Sequence, residues 1–306
     1  PAQIMLVDCN NSYLADLNFS KTIFGFGLYG CYNVTLRNNS VSDSYVGIGL
    51  FKSYNCSIKE NYLFKSNLAH GIATMFGGNY TISGNNIQEC MYGIYSNYDR
   101  YVKITNNTIE DNRYTGIVTN ANYTLIKDNY IRNNSYMNQY SGSGIQIMSN
   151  VFEISENYIS EHIYGIWTYY GAKNGTIYNN IIENNDANGY DDSEFEVRWD
   201  NGSLGNYWDD YQGRDWDDDG IGDFPYLING YAGRKDNYPI WDDGSHRNDN
   251  PYVLNYGIER EFAGLDPLDL YDFLTMEMTS QVVETLFTYN YSHPENKIIP
   301  LLAADF

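Results

Sequence analysis

An acidic run beyond the middle of the chain carries the clearest signature of metal chemistry. Residues 215–223 read Asp-Trp-Asp-Asp-Asp-Gly-Ile-Gly-Asp. Oxygen ligands at alternate positions and a glycine for a sharp turn are typical of the start of a calcium loop. Tyr226 stands where such a loop has its bidentate Glu, so a solvated acidic turn is the competing interpretation. The predicted Ca²⁺ ligands are Asp215, Asp217, Asp219, the backbone carbonyl of Ile221, and Asp223.

Aromatic side chains offer a second kind of chemistry, the binding of sugar rings. Tyr and Trp rings suit stacking on sugar faces, and Asn amides suit hydroxyl recognition. One aromatic group lies at residues 164–170, and an insertion at residues 133–143 carries two more tyrosines. Because Tyr also favours strands, a purely structural role is the alternative. The predicted ligand-binding residues are Tyr164, Trp167, Tyr169, Tyr136 and Tyr140.

Catalysis of the polysaccharide lyase or epimerase type needs acids and a base on one face. The nearest grouping is Glu110, Asp111, Arg113, Asp128 and Arg132. Charged residues are the expected background at turns, so we predict that the chain is not an enzyme, with a lyase or epimerase as the alternative.

The elements that position these residues are repeats marked by asparagine. The steps between successive asparagines are 22, 24, 22, 22, 28 and 23 residues. Aliphatic residues flank each asparagine three positions before and two after, and alternate with polar residues at strand spacing. Such a period predicts a solenoid of short strands stacked in parallel sheets about 4.8 Å apart. We expect the asparagines to adopt left-handed turns and to form a side-chain amide ladder. They are Asn39, Asn61, Asn85, Asn107, Asn129, Asn157 and Asn180.

This repeat resembles the right-handed parallel β-helix of pectate-lyase-like proteins. More narrowly, it resembles the periplasmic NosD-like β-helices, a family labelled copper-binding, and the carbohydrate-binding and sugar-hydrolase β-helix domains. Gly205-Asn206-Tyr207-Trp208, Asp219-Gly-Ile-Gly-Asp223 and Pro225-Tyr226 are similar to the closing segment of NosD-like chains. The resemblance covers about residues 25–245 and implies an all-β, pectate-lyase-like solenoid with an acidic, loop-rich cap. The family label implies copper, but His70, His162, His246 and His293 do not cluster in sequence, so we expect no copper site.

The last residues differ from the repeats. Asp266-Pro267 opens an amphipathic pattern that predicts a helix continuing to about Phe287. Residues of about 250–306 resemble the N-terminal fragment of a family 5 extracellular solute-binding protein. That resemblance implies an ABC transporter permease as a partner if the chain continues. We therefore predict three regions: coils at 1–185, an acidic cap at 186–250, and a partial solute-binding-protein-like segment with a short α-helix at 251–306.

Charge and composition indicate the compartment and exclude some partners. A formal net charge of −21 repels nucleic acid and anionic membranes and attracts cations. Cys9 and Cys31 lie one repeat apart, which predicts a disulfide unless both are buried thiols. Asn-x-Ser/Thr sequons predict a secreted glycoprotein, although β-helix turns favour the same residues. The predicted glycosylation sites are Asn33, Asn79, Asn106, Asn122 and Asn174.

Together these features predict an extracytoplasmic cell-surface module that binds a glycan or a peptide and is associated with an ABC-type solute-binding protein. Two alternatives stay open. One is a structural surface or sheath protein whose β-helices stack into homo-oligomers or polymers. The other is the polysaccharide lyase or epimerase.

Overall fold

The chain folds as a parallel β-helix. A computed structural model describes residues 4–66, 69–134, 142–241, 287–289 and 298–300. Those residues contain no α-helix, and so none that could cross a membrane. In chain order the strands are β1 (Ile4–Val7), β2 (Tyr13–Ala15), β3 (Asn18–Ser20), β4 (Phe24–Tyr29), β5 (Thr35–Arg37), β6 (Ser40–Ser42), β7 (Val46–Phe51), β8 (Ser57–Lys59), β9 (Tyr62–Phe64), β10 (His70–Met75), β11 (Gly78–Ser83), β12 (Asn86–Gln88), β13 (Tyr92–Thr105), β14 (Thr108–Glu110), β15 (Thr115–Lys127), β16 (Tyr130–Arg132), β17 (Ser143–Ile147), β18 (Asn150–Ser155), β19 (Tyr158–Ser160), β20 (Tyr164–Thr168), β21 (Lys173–Tyr178), β22 (Ile181–Glu183), β23 (Ala187–Asp191), β24 (Val197–Arg198), β25 (Tyr207–Trp208), β26 (Tyr226–Leu227), β27 (Lys235–Asp236), β28 (Phe287–Tyr289) and β29 (Ile298–Pro300).

The strands stack in three columns, which we call faces. Face 1 consists of β1, β4, β7, β10, β13, β15, β17, β20 and β23. Face 2 consists of β2, β5, β8, β11, the later parts of β13 and β15, β18, β21 and β24. Face 3 is a separate nine-stranded sheet that runs from β3 to β25. Neighbouring strands within these faces are parallel, so the predicted parallel β-helix is confirmed.

Columns of isoleucine fill the space between the faces. In face 2, Ile82 lies in register with Ile104, and Ile104 with Ile126. All three are fully buried, and each such side chain contributes about 1.5–3 kcal/mol by leaving water. Glycine precedes the face 1 isoleucines because the coils approach closely there. A Cβ at Gly71 would lie 2.8 Å from the Gly93 carbonyl oxygen.

The seven predicted asparagines form a buried amide ladder. At Asn107, Oδ1 accepts from the backbone N of Asn85 at 3.0 Å and from its Nδ2 at 2.9 Å. The Nδ2 of Asn107 donates onward to Asn129 Oδ1 at 2.9 Å and to the Ile82 carbonyl at 3.0 Å. The ladder thus satisfies backbone groups at one corner of each coil.

The expectation that the ladder asparagines adopt left-handed turns is wrong. The residue with positive φ is the preceding one, as at Asn106 (φ 55) and Asp128 (φ 56). This exposed residue turns the corner, so the ladder asparagine can direct its amide inward to the neighbouring coils.

A second buried ladder lies five residues further along each coil. Asn112 Nδ2 donates to Asn134 Oδ1 at 2.7 Å. Asn134 Nδ2 lies 3.1 Å from His162 Nε2, and His162 Nδ1 lies 3.0 Å from Asn185 Oδ1. This arrangement fits a neutral imidazole protonated on Nδ1. Burial accordingly lowers the pKa of His162 to about 3.

The C-terminal end of the stack is closed by tryptophans. The strands β23, β24 and β25 continue the faces past residue 185, the predicted end of the coils. Gly189 is in register with Ile166, and the rings of Trp199 and Trp208 lie beside Gly189. Trp208 in turn stacks on Tyr226 at 4.2 Å. The large rings therefore cover the end of the isoleucine core.

Residues 1–246 and 247–306 form separate compact units. In the second unit, β28 pairs antiparallel with β29. The predicted C-terminal helix lies outside the described residues except at Phe287, which belongs to β28. The Phe-Thr-Tyr sequence of that strand has high β-propensity.

The predicted Cys9–Cys31 disulfide is not formed in the structure, although the two residues lie in adjacent coils. The Cys9 thiol donates to the Val7 carbonyl at 3.3 Å. The Cys31 thiol faces the carbonyls of Leu6 and Tyr29, each at 3.5 Å. Each sulfur is therefore directed at its own backbone acceptors.

Candidate functional site

Three of the predicted ligand-binding residues meet on the outer surface of face 1. In β20, Ile166 is fully buried, so strand alternation places Trp167 on the outside. The Trp167 ring lies 5.2 Å from Tyr164 and 5.2 Å from Tyr169. Tyr190 of β23 is in register with Trp167 and packs against Tyr164 at 4.8 Å. We call Tyr164, Trp167, Tyr169 and Tyr190 the aromatic platform.

A cavity of about 520 Å³ opens beside this platform. Asp192 is held at its edge, because it accepts from Trp167 Nε1 at 3.4 Å and from the Tyr231 backbone N at 3.3 Å. Aromatic rings and two carboxylates therefore share one concave surface. Its lining residues are Tyr169, Tyr170, Asp192, Ser193, Glu194, Tyr231 and Ala232.

Two tyrosines at this cleft, Tyr170 and Tyr190, have pKa values raised above the ordinary one. A hydrogen bond with Glu194, followed by the charge of that carboxylate, raises the pKa of Tyr170. Burial, followed by the charge of Asp192, raises the pKa of Tyr190. The hydroxyls are hydrogen-bond donors and the carboxylates are acceptors, which is the pairing that sugar hydroxyls require.

Three of the predicted calcium ligands converge. Carboxylate oxygens of Asp215, Asp217 and Asp223 lie within 4.8 Å of one another. Asp219 is not in this group, and its carboxylate accepts from the Ile221 backbone N at 2.8 Å. The charge of Asp219, followed by burial, raises the pKa of Asp217. A cation that prefers oxygen ligands would reduce the repulsion between these carboxylates.

The predicted glycosylation sites lie on the turns. Asn33, Asn79, Asn106 and Asn174 are exposed, and Asn122 is partly buried. The Nδ2 atoms of Asn33, Asn79 and Asn174 donate to asparagines of adjacent coils at 2.7, 2.7 and 3.1 Å. A glycan would have to replace one hydrogen of that same atom, so glycosylation stays a prediction. Tyr136 and Tyr140 lie outside the described residues.

Several of the acidic and basic residues considered as catalytic groups of a lyase or epimerase form hydrogen bonds or ion pairs with residues of neighbouring coils. Glu110 accepts from Gln88 Nε2 at 2.7 Å, and Asp111 accepts from Asn133 Nδ2 at 2.7 Å. Arg132 pairs with Glu161 at 2.7 Å. These contacts link neighbouring turns of the helix.

With the fold and the cleft described, comparison with known proteins identifies the family. The family model described as "Periplasmic copper-binding protein (NosD)" matches residues 1–150 and 121–213. The chain belongs to the NosD family. The predicted NosD resemblance is therefore confirmed. No curated protein sequence matches the chain.

Solved structures similar to this NosD-family chain include enzymes. DFA-IIIase from Arthrobacter chlorophenolicus A6 without its lid matches with 17% identity and a TM-score of 0.43, covering 66% of this chain and 56% of that one. GH136 lacto-N-biosidase from Eubacterium ramulus matches with 13% identity and a TM-score of 0.41, covering 64% and 44%. The chain thus spans about half the length of these proteins. At such identities the likeness concerns the fold alone.

The prediction that the chain is not an enzyme is contradicted in so far as the similar solved structures are those of a DFA-IIIase and a lacto-N-biosidase, and this likeness assigns no activity to the chain itself. That prediction rested on charged residues being the expected background at the turns of the repeats. The cleft carboxylates Asp192 and Glu194 lie beyond the last repeat asparagine, where the repeat pattern could not indicate them.

The copper in the NosD family's description favours His, Cys and Met ligands. His162 is bonded through both ring nitrogens in the second ladder, and His70 stacks on Tyr95 at 4.7 Å. Among the described residues, the one converging group of three or more His, Cys, Asp or Glu side chains is the acidic set at 215–223. Its hard oxygen donors fit Ca²⁺ and do not fit copper, so no step is assigned to copper here.

Proposed function

We propose that this NosD-family β-helix is an extracytoplasmic carbohydrate-binding module whose glycan lies across the aromatic platform. The observation that carries the proposal is the position of Trp167. Its ring lies on the outer surface between Tyr164 and Tyr169, with Asp192 at its indole N–H. The periplasmic location in the family's name supports the compartment.

The geometry suits a sugar chain in two ways. Aromatic faces bury the apolar face of a pyranose ring, while Asp192, Glu194 and the tyrosine hydroxyls exchange hydrogen bonds with its hydroxyl groups. The cavity of about 520 Å³ lies within the usual range of about 300–1,000 Å³ for small-molecule sites. Stacking on the aromatic rings would thus supply affinity for the sugar, and hydrogen bonds to the carboxylates would fix its orientation.

Titration calorimetry with neutral hexasaccharides tests this proposal, using cellohexaose, chitohexaose and laminarihexaose. We expect saturable binding of at least one, weakened tenfold or more by Trp167→Ala or Tyr169→Ala. Tyr62→Ala is the matched control, because Tyr62 is an exposed ring on face 3. Equal affinity in the platform variants, or binding of a peptide library but of no glycan, would refute the proposal.

Glycoside hydrolysis is a second candidate, favoured by the presence of two carboxylates in one cavity. A glycosidase uses a pair of Asp or Glu residues, one of them as the acid. Asp192 and Glu194 line the same cavity as Tyr169 and Tyr170. Hydrolysis should then be abolished by Asp192→Asn or Glu194→Gln while binding persists. If both variants formed hydrolysis product at the wild-type rate, Asp192 and Glu194 would be excluded as the catalytic pair.

Two further predictions stay open. A structural sheath protein would form polymers that grow with concentration and persist in Trp167→Ala, which sedimentation velocity detects. The association with an ABC-type solute-binding protein rests on the resemblance of residues of about 250–306, and the matching family model ends at residue 213.

A further inference from the structure

A second cavity of about 530 Å³ lies where face 1 meets face 2, several coils before the aromatic platform. Along this corner Tyr32, Tyr54, Gly78, Arg100 and Asn122 are successive neighbours. Gly78 has no side chain, and its backbone packs closely on that of Arg100, since a Cβ there would lie 2.3 Å from the Arg100 carbonyl oxygen. The cavity, or notch, lies beside this position and is lined by Tyr54, Gly77 and Arg100 among others.

Aromatic rings form one wall of this notch. Phe76 and Tyr98 stack at 5.4 Å with an interplanar angle of 9°, and the Tyr54 hydroxyl donates to the Phe76 carbonyl at 3.3 Å. Tyr98 is 63% exposed. Phe76 and Tyr98 both have positive φ, 58° and 55°, where bulky residues are disfavoured. Ring surface is thus presented at two adjacent corner positions of the helix.

Arg100 supplies the positive charge of the cavity. It is exposed, and no carboxylate in the described part of the chain lies within salt-bridge distance of it. The adjacent Asp99 is 1% exposed. Its oxygens are occupied by Thr74 Oγ1 at 2.7 Å, Ser96 Oγ at 2.8 Å and Gly77 N at 2.8 Å. The cavity therefore faces a guanidinium, with the amides of Asn120 and Asn122 beside it.

We propose that this cavity binds a uronic acid residue of a polysaccharide, with the carboxylate on Arg100 and the sugar ring against Tyr98. Guanidinium binds carboxylate through two parallel hydrogen bonds, and the amides of Asn120 and Asn122 suit sugar hydroxyls. This site is separate from the aromatic platform and takes a charged sugar, so it does not rest on the proposed function.

Titration calorimetry with trigalacturonic acid and its methyl ester tests the proposal, because esterification removes the charge and keeps the sugar. A chelator in all titrations prevents a cation at residues 215–223 from bridging to the ligand. The acid should bind about tenfold or more tightly than the ester. Arg100→Gln should abolish this difference without changing the melting temperature.

Lys103→Gln is the matched control, since it removes the same charge from an exposed residue three positions away. It should keep the preference for the acid, as should Trp167→Ala, which alters only the platform. Equal affinity for acid and ester, retention of the preference in Arg100→Gln, or its loss in Trp167→Ala would each overturn the proposal. Acetate that binds as tightly as the trisaccharide would also overturn it, because sugar recognition would then be absent.

Discussion

Asn107 shows at the scale of one residue how the coils are held in register. Asn107→Leu keeps the branched shape of the side chain and removes the amide, leaving the Asn85 N–H and the Ile82 carbonyl without their partners. Each orphaned buried group costs about 1–3 kcal/mol. We expect the free energy of unfolding, measured in urea, to fall by about 2–5 kcal/mol.

Asn106→Gly is the neighbouring control. Asn106 is exposed and has a φ of 55°, a conformation that glycine adopts freely. This variant should keep nearly the wild-type stability. If Asn107→Leu were equally stable, the ladder would contribute volume rather than hydrogen bonds.

Single residues also show what the sequence could predict. Identical asparagines at a regular period made the first ladder visible. The second ladder includes His162, and its equivalent in an earlier coil is Cys90, so no repeated residue type marked it. The left-handed positions were misassigned by one residue, because sequence spacing does not show whether a polar residue turns the chain or points inward.

At the scale of elements, the hairpin of β26 and β27 ends the first ladder with Asp236. Its Oδ2 accepts from the backbone N of Asn206 at 2.7 Å and from Trp208 Nε1 at 2.9 Å. Each ladder amide donates towards the C-terminal end, so the acceptor-only carboxylate lies at the positive end of a row of dipoles. Burial nevertheless outweighs these donors and raises the pKa of Asp236 to about 6.

The raised pKa of Asp236 predicts that the stability of the folded chain depends on pH. Between about pH 4 and pH 6 the folded chain holds a proton on Asp236 that the unfolded chain has released, so stability falls as pH rises. The loss by pH 7 is about 3 kcal/mol. Burial lowers the pKa of His70 to about 4 and that of His162 to about 3. Because of these two residues, the folded chain becomes less stable as pH falls below about 6.5. Their effect on stability is therefore opposite in direction to that of Asp236.

Comparison with Asp236→Asn isolates the carboxylate from the histidines. The stability of wild type minus that of the variant, from urea unfolding at pH 4 to 7, should decline by about 3 kcal/mol. Asp186→Asn, at an exposed position, should show no such decline. Parallel pH curves for wild type and Asp236→Asn would contradict the assignment.

The acidic loop at 215–223 makes a separate prediction about cations. Ca²⁺ bound to Asp215, Asp217 and Asp223 would stabilise the folded chain by about 2.7 kcal/mol at one hundred times its dissociation constant. The melting temperature should therefore rise with Ca²⁺ and fall with a chelator, and Asp217→Asn should reduce the response. Asp218→Asn makes the same charge change outside the converging group, so this variant should retain the full response of the melting temperature to Ca²⁺. A melting temperature indifferent to Ca²⁺ would exclude the site.

The candidate cleft was predictable in part. Trp167 and its neighbours are adjacent in sequence, so their grouping required only strand alternation. Tyr190 and Asp192 come from the next coil, in register with Trp167 and just beyond it. Tyr190 follows Trp167 by 23 residues, about one repeat step. The pattern fades after residue 185, however, so neither this ring nor the carboxylates of the cavity were predicted as ligand-binding residues.

At the scale of the whole molecule, face 1 forms a continuous outer surface along the helix axis. Tyr95, Val118, Gln146 and Trp167 are successive neighbours across three strand spacings, or about 14 Å. Aromatic groups therefore stand at both ends of this row, with the buried Val118 and the amide of Gln146 between them. A glycan that follows this axis would contact the aromatic platform at one end, and we expect Trp167 to be its main contact there.

The most direct test of that claim is a crystal structure of the chain soaked with the hexasaccharide that binds most tightly among the three neutral probes. We expect electron density for sugar rings against Trp167 and Tyr169, with a hydroxyl within hydrogen-bond distance of Asp192. Density for the bound sugar elsewhere on the helix, with the Trp167 ring uncovered, would contradict it.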